Sequence, residues 1–417
     1  MSAPTFAPAR PAPAAEPPTA EPTAAGSTTA GPRTAADLAD RVARVAGVAA
    51  EHVERTDRDA SFPVEALEEM RRSGLLGLLV PASHGGLGGG TDDVVSAGIA
   101  LGRVDLSVAM IFVMHCQQVA AVVRHGNERL RDELLPEIAA GRMYLASVTT
   151  EAGKGGHLLS SESALAARED ELLLDRFAPI VTGGEHADGF LVTMQSPPPA
   201  SPNQVSLVYA HRDQLTVERS GDWQPLGMRA SHSVALRLTG TVPAHQVVGE
   251  HGAFRTIVTT VFGPMAHLGW SACWLGTAAG ALSRVVKLLR SPHSRGRVNL
   301  DSELLLTRLS RARQRIDTVH ALLDRARQVV ATADDLSVPR VQLLLNALKI
   351  TAADECHLAV EDLVDAVGMR HGYLKDSPTR LEHSLRDLRS AALNYSNDRL
   401  HLVDGKLALL DAEVRLA

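Results

Sequence analysis

The chain has 417 residues, more than one hydrophobic core usually serves, and 45% of them are hydrophobic, enough to fill several cores. A formal net charge of −6 leaves no electrostatic footprint for nucleic acid or for an anionic membrane, which argues against partners of either kind. Cys116, Cys273 and Cys356 lie far apart in apolar stretches without CxxC spacing, so buried thiols in a reducing compartment are expected and a metal site is not.

Residues 1–34 are almost wholly Pro, Ala, Thr, Ser, Gly and Glu, too poor in apolar surface to offset the entropy of ordering them, and read as a disordered leader. This N-terminus lacks the basic-then-apolar design of a secretory signal, and no uninterrupted apolar run reads as a membrane span, so a cytoplasmic protein is expected. From Ala35 the apolar spacing is helical, and a second helix opens at Phe62-Pro63 with Ser61 as its cap, places Val64, Leu67 and Met70 on one face, and stops at Ser73-Gly74. A glycine-rich connection follows to Gly90, then three helices over roughly 91–104, 107–125 and 127–141. Residues 35–143 are therefore read as a helical domain.

From Tyr144 the period changes to alternation, which predicts strands at 173–177, 189–194, 205–210 and 234–238, with the proline-rich stretch 195–203 as a hairpin end. Residues 144–250 form a β domain, a small barrel or sandwich. After Gly252 heptad-like stripes such as Leu305, Leu309, Ala312 and Ile316 predict a C-terminal four-helix bundle over 251–417. The fold class is α+β, in three domains after the leader.

The stretch 145–188 stands out within that order. LASVTTEAGKGG offers Thr149 and Thr150 at the end of an apolar strand and then a glycine turn; a second apolar run ends in Thr182-Gly183-Gly184. Hydroxyls and free backbone N–H groups line the edge of a flat polar heterocycle with a diphosphate tail without adding bulk, although two ordinary strands with tight turns would carry the same residues.

Several local sequences extend this reading. FPVEALEEMRRSGLLGLLVPASHGGLG, VTTEAGKGG, IVTGGEHAD, PLGMRASHSVALRLTGTVP and GMRHGYLKDSPTRLEHSLRDLR follow one another in the order of the acyl-CoA dehydrogenase superfamily of flavoproteins, which the chain resembles from about Ala35 to Ala417. The resemblance implies FAD between the β domain and the C-terminal helices, in a homodimer or homotetramer. It places Thr149, Thr150 and Thr182 at the flavin edge, backbone N–H groups of Gly155 and Gly156 at the diphosphate, Arg295 or Arg297 as its counter-charge, and Gly368 and Gly372 beside the adenosine. His115 and Gln117 are pocket ligands or buried polar groups satisfied by backbone.

The chain departs from the family at the catalytic base. The family's glutamate position falls on Tyr395, its other location falls near Ala266 and His267, and neither carries a carboxylate. Asp398, Tyr395, Glu151 and His401 remain as candidate bases. The resemblance implies an FAD-dependent dehydrogenase acting on an acyl thioester of coenzyme A or of a carrier protein. A flavin-dependent monooxygenase or oxidase, which needs no α-proton base, is the alternative, and a flavin-less scaffold is a third reading.

Overall fold

Helix α1 (Ala35–Asp59) turns Leu38, Val42, Val45, Ala49 and Val53 inward at helical spacing and covers α2 (Val64–Arg72). The computed structural model describes residues 35–153, 158–292 and 298–417. Ser61 does not cap α2: Pro63 holds that position without a side-chain hydrogen bond, and the buried Ser61 hydroxyl has no partner among the described residues. The first amide of the helix, that of Val64, bonds instead to the Phe62 carbonyl.

The three further helices form close to their predicted spans, as α3 (Thr91–Gly102), α4 (Leu106–His125) and α5 (Glu128–Ala139). Helix α4 starts where Asp105 accepts from the Ser107 and Val108 amides at 2.8 and 3.2 Å. By length and composition two helical stretches, α4 and 254–289, could cross a membrane, contrary to the expectation from sequence. Their apolar surface is taken up by packing instead, with 83% of the α4 window buried, because α4 is enclosed by helices and a sheet.

The β region consists of two four-stranded sheets, not a closed barrel. One has β1 (Leu145–Val148), β4 (Gly189–Gln195), β5 (Val205–His211) and β8 (Val247–Val248) in the order β1-β4-β5-β8, with β1 parallel to β4. The other runs β2-β3-β7-β6 and is antiparallel throughout, from β2 (Ala166–Arg168), β3 (Glu171–Ala178), β6 (Leu215–Ser220) and β7 (Ala235–Pro243). Strand β3 alternates, burying Leu172, Leu174, Arg176 and Ala178, whereas β4 is buried along nearly its whole length as an interior strand. The proline-rich stretch does join β4 to β5 as a hairpin end.

The short helix α6 (Phe254–Ile257) continues through a π turn, Val258–Phe262, into α7 (Gly263–Leu289). The bundle is α7, α8 (Glu303–Thr332) and α9 (Pro339–Gly368), with α10 (Leu381–Leu388) and α11 (Asn397–Ala408) packed on α9. Helix α7 also lies against α3, so closely that a Cβ on Gly276 would stand 2.2 Å from the Ile99 carbonyl oxygen.

Candidate functional site

Strand β1 ends at Val148, and the two threonines after it meet the exit of β3. The Thr150 hydroxyl donates to the Ile180 carbonyl at 2.9 Å, and the Ile180 amide points back to it at 3.3 Å, which locks the two strand ends together. Two residues on, Thr182 Oγ1 lies 3.0 Å from Ser233 Oγ, itself 2.8 Å from Ser231 Oγ, a chain of three hydroxyls. Gly183 takes φ +61°, and a Cβ there would fall 2.6 Å from the Tyr144 hydroxyl and 2.7 Å from the Phe62 ring, so only glycine fits. Ile180 stands 50% exposed on this rim, beside the half-buried Thr149 and Thr182. An exposed branched side chain and hydroxyls on one edge suit a flat ring that is apolar on its face and polar at its perimeter.

Beneath the rim lies a buried ion pair. Glu151 approaches Arg176 to 2.6 Å and accepts from Ser163 through its amide and hydroxyl at 3.2 and 3.1 Å. Arg176 is 1% exposed and also donates to the Thr150 carbonyl at 3.0 Å, so this pair braces the segment that carries both threonines.

The rim is joined to the C-terminal helices through α10. The Asp387 carboxylate accepts from the Met228 amide at 2.6 Å, just before the loop that carries Ser231. Arg386 grips Asp57 of α1 with two bonds, at 2.6 and 3.0 Å. His383 lies 3.2 Å from Asp387 and 3.7 Å from Asp57. Burial opposes its charge, but Asp387, Asp57 and Asp105 prevail and raise the imidazole to about 9. Asp57, His383 and Asp387 come within 4.8 Å of one another, as metal ligands would. A protonated imidazole and a carboxylate already held by arginine make the group an ion-pair junction between α1, the β region and α10.

Beyond α10, Lys349 neighbours both of the base positions indicated by the family resemblance. Lys349 of α9, with no exposed surface, donates to the Ala391 and Tyr395 carbonyls at 3.1 Å each and to Asn397 Oδ1 at 2.7 Å. Its Nζ lies 5.6 Å from the centre of the Trp274 ring of α7. One and two turns earlier on α7 are Ser271 and His267. His267 lies beside the Leu345 carbonyl, and its Nδ1 has no partner among the described residues, nor do Ser271 Oγ and Trp274 Nε1. Burial, helped by Lys349, holds His267 at about 4, so the imidazole is neutral. Three unpartnered polar atoms on one stripe of α7 thus adjoin a cation and the Tyr395 turn.

The residues singled out in the sequence separate into groups. Thr149, Thr150 and Thr182 share the rim, and Glu151 lies beneath it against Arg176. Tyr395 sits in the turn held by Lys349, at φ +50°, with its phenol pushed above its ordinary range by burial. Asp398 and His401 are exposed on α11. Gly368 ends α9 at φ +67°, and Gly372, buried in the next turn, packs against the Val364 backbone. Gly155, Gly156, Arg295 and Arg297 lie outside the described residues. His115 and Gln117 are satisfied by backbone: His115 Nε2 donates to the Leu76 carbonyl and Nδ1 accepts from the Leu145 amide, both at 3.0 Å, while Gln117 donates to the Phe262 carbonyl at 2.7 Å. Arg176, Ser231, Ser233 and Lys349 were not singled out. Two of them had a signal, since Arg176 is in phase with the inward Leu172 and Leu174, and Lys349 falls one turn after Leu345 on a buried stripe.

Comparison with known proteins gives a consistent picture. Residues 33–142 match the family "Acyl-CoA dehydrogenase, N-terminal domain" and residues 264–393 match "Acyl-CoA dehydrogenase, C-terminal domain". A probable acyl-CoA dehydrogenase from Mycobacterium leprae is 24% identical over 87% of this chain and 91% of its own. The mitochondrial isobutyryl-CoA dehydrogenase of Dictyostelium discoideum is 25% identical over 81% and 79%. Among solved structures, dibenzothiophene monooxygenase from Paenibacillus sp. A11-2 superposes with a TM-score of 0.79 at 20% identity, covering 92% of this chain and 98% of its own. Butyryl-CoA dehydrogenase from Megasphaera elsdenii gives 0.76 at 19% identity, covering 91% and 99%.

Proposed function

Because the chain belongs to the acyl-CoA dehydrogenase superfamily, we propose that it is an FAD-dependent enzyme that dehydrogenates the acyl group of a thioester, carried on coenzyme A or on a carrier protein. The observation that carries this reading is the rim of Thr149, Thr150, Ile180 and Thr182, assembled from two strand ends and braced by a buried ion pair. The Thr149 and Thr182 hydroxyls would meet the edge of the flavin, and Ile180 would lie against its face. Bound there, the flavin supplies the hydride acceptor.

Removal of the α-proton needs a group of its own. Glu151 is engaged by Arg176, and Asp398 and His401 face solvent. On α7, at the second of the two base positions, His267 offers a buried Nδ1 with no partner among the described residues. His267 is the base in this reading. Anaerobic mixing of the FAD-loaded protein with acyl-CoA and acyl-carrier thioesters tests it, with bleaching of the oxidised flavin band as the expected result. His267→Asn should then retain FAD and lose the bleaching.

The lack of a carboxylate at both positions favours a second reading, an oxygenating enzyme on the same fold. No bleaching with any thioester, together with an oxygenated product from reduced flavin and dioxygen, would establish it. Assembly and compartment belong to the proposal as well. Leu304 and Leu306 of α8, 60% and 51% exposed, support a two-fold homo-oligomer, which light scattering would detect. The free thiols Cys116, Cys273 and Cys356 suit a reducing cytoplasm.

A further inference from the structure

We propose that Lys349 is a positioning residue for the reaction, clamping the turn 391–397 so that Tyr395 and the unpartnered face of α7 hold a fixed distance across the reacting group. Lys349 has three ammonium protons, and the structure uses all three on this one turn: the Ala391 carbonyl, the Tyr395 carbonyl and Asn397 Oδ1. The points of attachment lie near the start, at the middle and at the end of the turn, so one amine fixes its whole curvature. Asn397 in turn donates to Asp354 at 2.9 Å, which supplies a counter-charge at one remove and ties the clamp back to α9.

Apolar packing alone would not call for a lysine. Burying an ammonium costs desolvation, shown by the lowering of the Lys349 amine to about 8, and a methionine of similar length would fill the same space without a charge. What a methionine could not do is satisfy two carbonyls and an amide oxygen at once. The turn also needs holding, because Tyr395 takes φ +50°, a left-handed conformation unfavourable for a side chain with a Cβ. Facing it across the Lys349 amine is α7, where His267 Nδ1, Ser271 Oγ and Trp274 Nε1 lack partners among the described residues. Buried polar atoms without partners are rare in a finished core, and three on one helical stripe leave that face able to form hydrogen bonds with a bound group. The clamp sets the width of that surface.

The inference rests on catalysis taking place between α7 and this turn, as in the proposed dehydrogenation, but its first readout does not. Amide hydrogen exchange is measured on FAD-loaded wild type, Lys349→Met and Asn397→Ala, the last removing one anchor while keeping the buried amine. Exchange across 391–397 should rise at least tenfold in Lys349→Met and less in Asn397→Ala, with the β1 and β3 exits unchanged and FAD affinity within twofold. Turnover is then followed with whichever substrate class the wild type accepts, thioester or oxygenation substrate. The expected result is a kcat lowered about a hundredfold in Lys349→Met and about tenfold in Asn397→Ala, with KM within threefold. Unchanged exchange would remove the clamp. Raised exchange with unchanged kcat would leave a structural tie and overturn the positioning role. If Lys349→Met does not fold, Asn397→Ala decides alone, by the same two outcomes. A wild type that oxygenates and is bleached by no thioester would reject the dehydrogenase reading while the clamp is still judged on kcat.

Discussion

Replacing Glu151 by alanine removes the carboxylate from a pair in which the partner cannot reach water. Arg176 is 1% exposed and the two groups approach to 2.6 Å, so the guanidinium would be left buried beside neutral acceptors, the Ser161 and Ser163 hydroxyls and the Thr150 carbonyl. Breaking a buried pair from one side costs about 3–5 kcal/mol, whereas removing both charges costs much less. The expected outcome is therefore a loss of about 3–5 kcal/mol in Glu151→Ala, much of it regained in Glu151→Ala/Arg176→Met. Urea unfolding of the FAD-loaded protein, followed by flavin fluorescence and circular dichroism, gives the double-mutant cycle. A single mutant within about 0.5 kcal/mol of wild type, or a double mutant equal to the sum of the singles, would refute a structural pair. A companion variant bears on mechanism: Glu151→Gln keeps the size and an acceptor for Ser163, so flavin reduction by a thioester should survive. Its complete loss in a protein of normal stability would make Glu151 the base after all.

The junction at α10 gives a pH dependence whose sign follows from His383. Its folded value, about 9, lies above the ordinary 6.5, so the stability it contributes is fully present below pH 6.5 and is lost as pH rises through 9. The interval corresponds to roughly 3 kcal/mol. The difference in unfolding free energy between wild type and His383→Gln should shrink over that range, and a constant difference would contradict the ion-pair assignment. Gly276→Ala puts a methyl group 2.2 Å from the Ile99 carbonyl oxygen and should cost about 1–3 kcal/mol by prising α3 from α7, read as a lower denaturation midpoint. Asp398→Asn, at an exposed site on α11, should leave flavin reduction within about twofold of wild type, an expectation based on exposure; a hundredfold loss would install Asp398 as the base.

The order of helices, strands and helices was legible because each rests on local periodicity that survives packing. Helix α4 kept its predicted span because a run of apolar residues follows an aspartate cap. Strand β6 escaped notice because Leu215–Ser220 lies largely exposed on a sheet edge and has little apolar patterning to announce it. Ser61 had the chemistry of a cap but stands two residues before Pro63, which took the position. The threonines of the rim could be found from their place between strand and glycine. The hydroxyl chain through Ser231 and Ser233 could not, since it joins residues about fifty positions apart by folding alone. The same holds for the convergence at Lys349, which draws on α7, α9 and the turn before α11, and no spacing rule in one dimension connects those three.

The grip of Arg386 on Asp57 joins residues 329 positions apart. On a ribosome adding about 5–20 residues per second, Asp57 emerges roughly 15–65 seconds before its partner is made. During that interval α1 and the loop around Arg229 can meet, since Arg229 already donates to the Asp57 carbonyl at 2.6 Å in the finished fold, but the carboxylate lacks the two guanidinium bonds that Arg386 supplies. The α1 contact with the β region therefore has its backbone half before α10 is made and its carboxylate half only afterwards. A growing chain halted before that helix should be far more open to proteolysis at the α1–β junction than the full chain, which makes α10 the late fastener of the assembly as well as a support of the site.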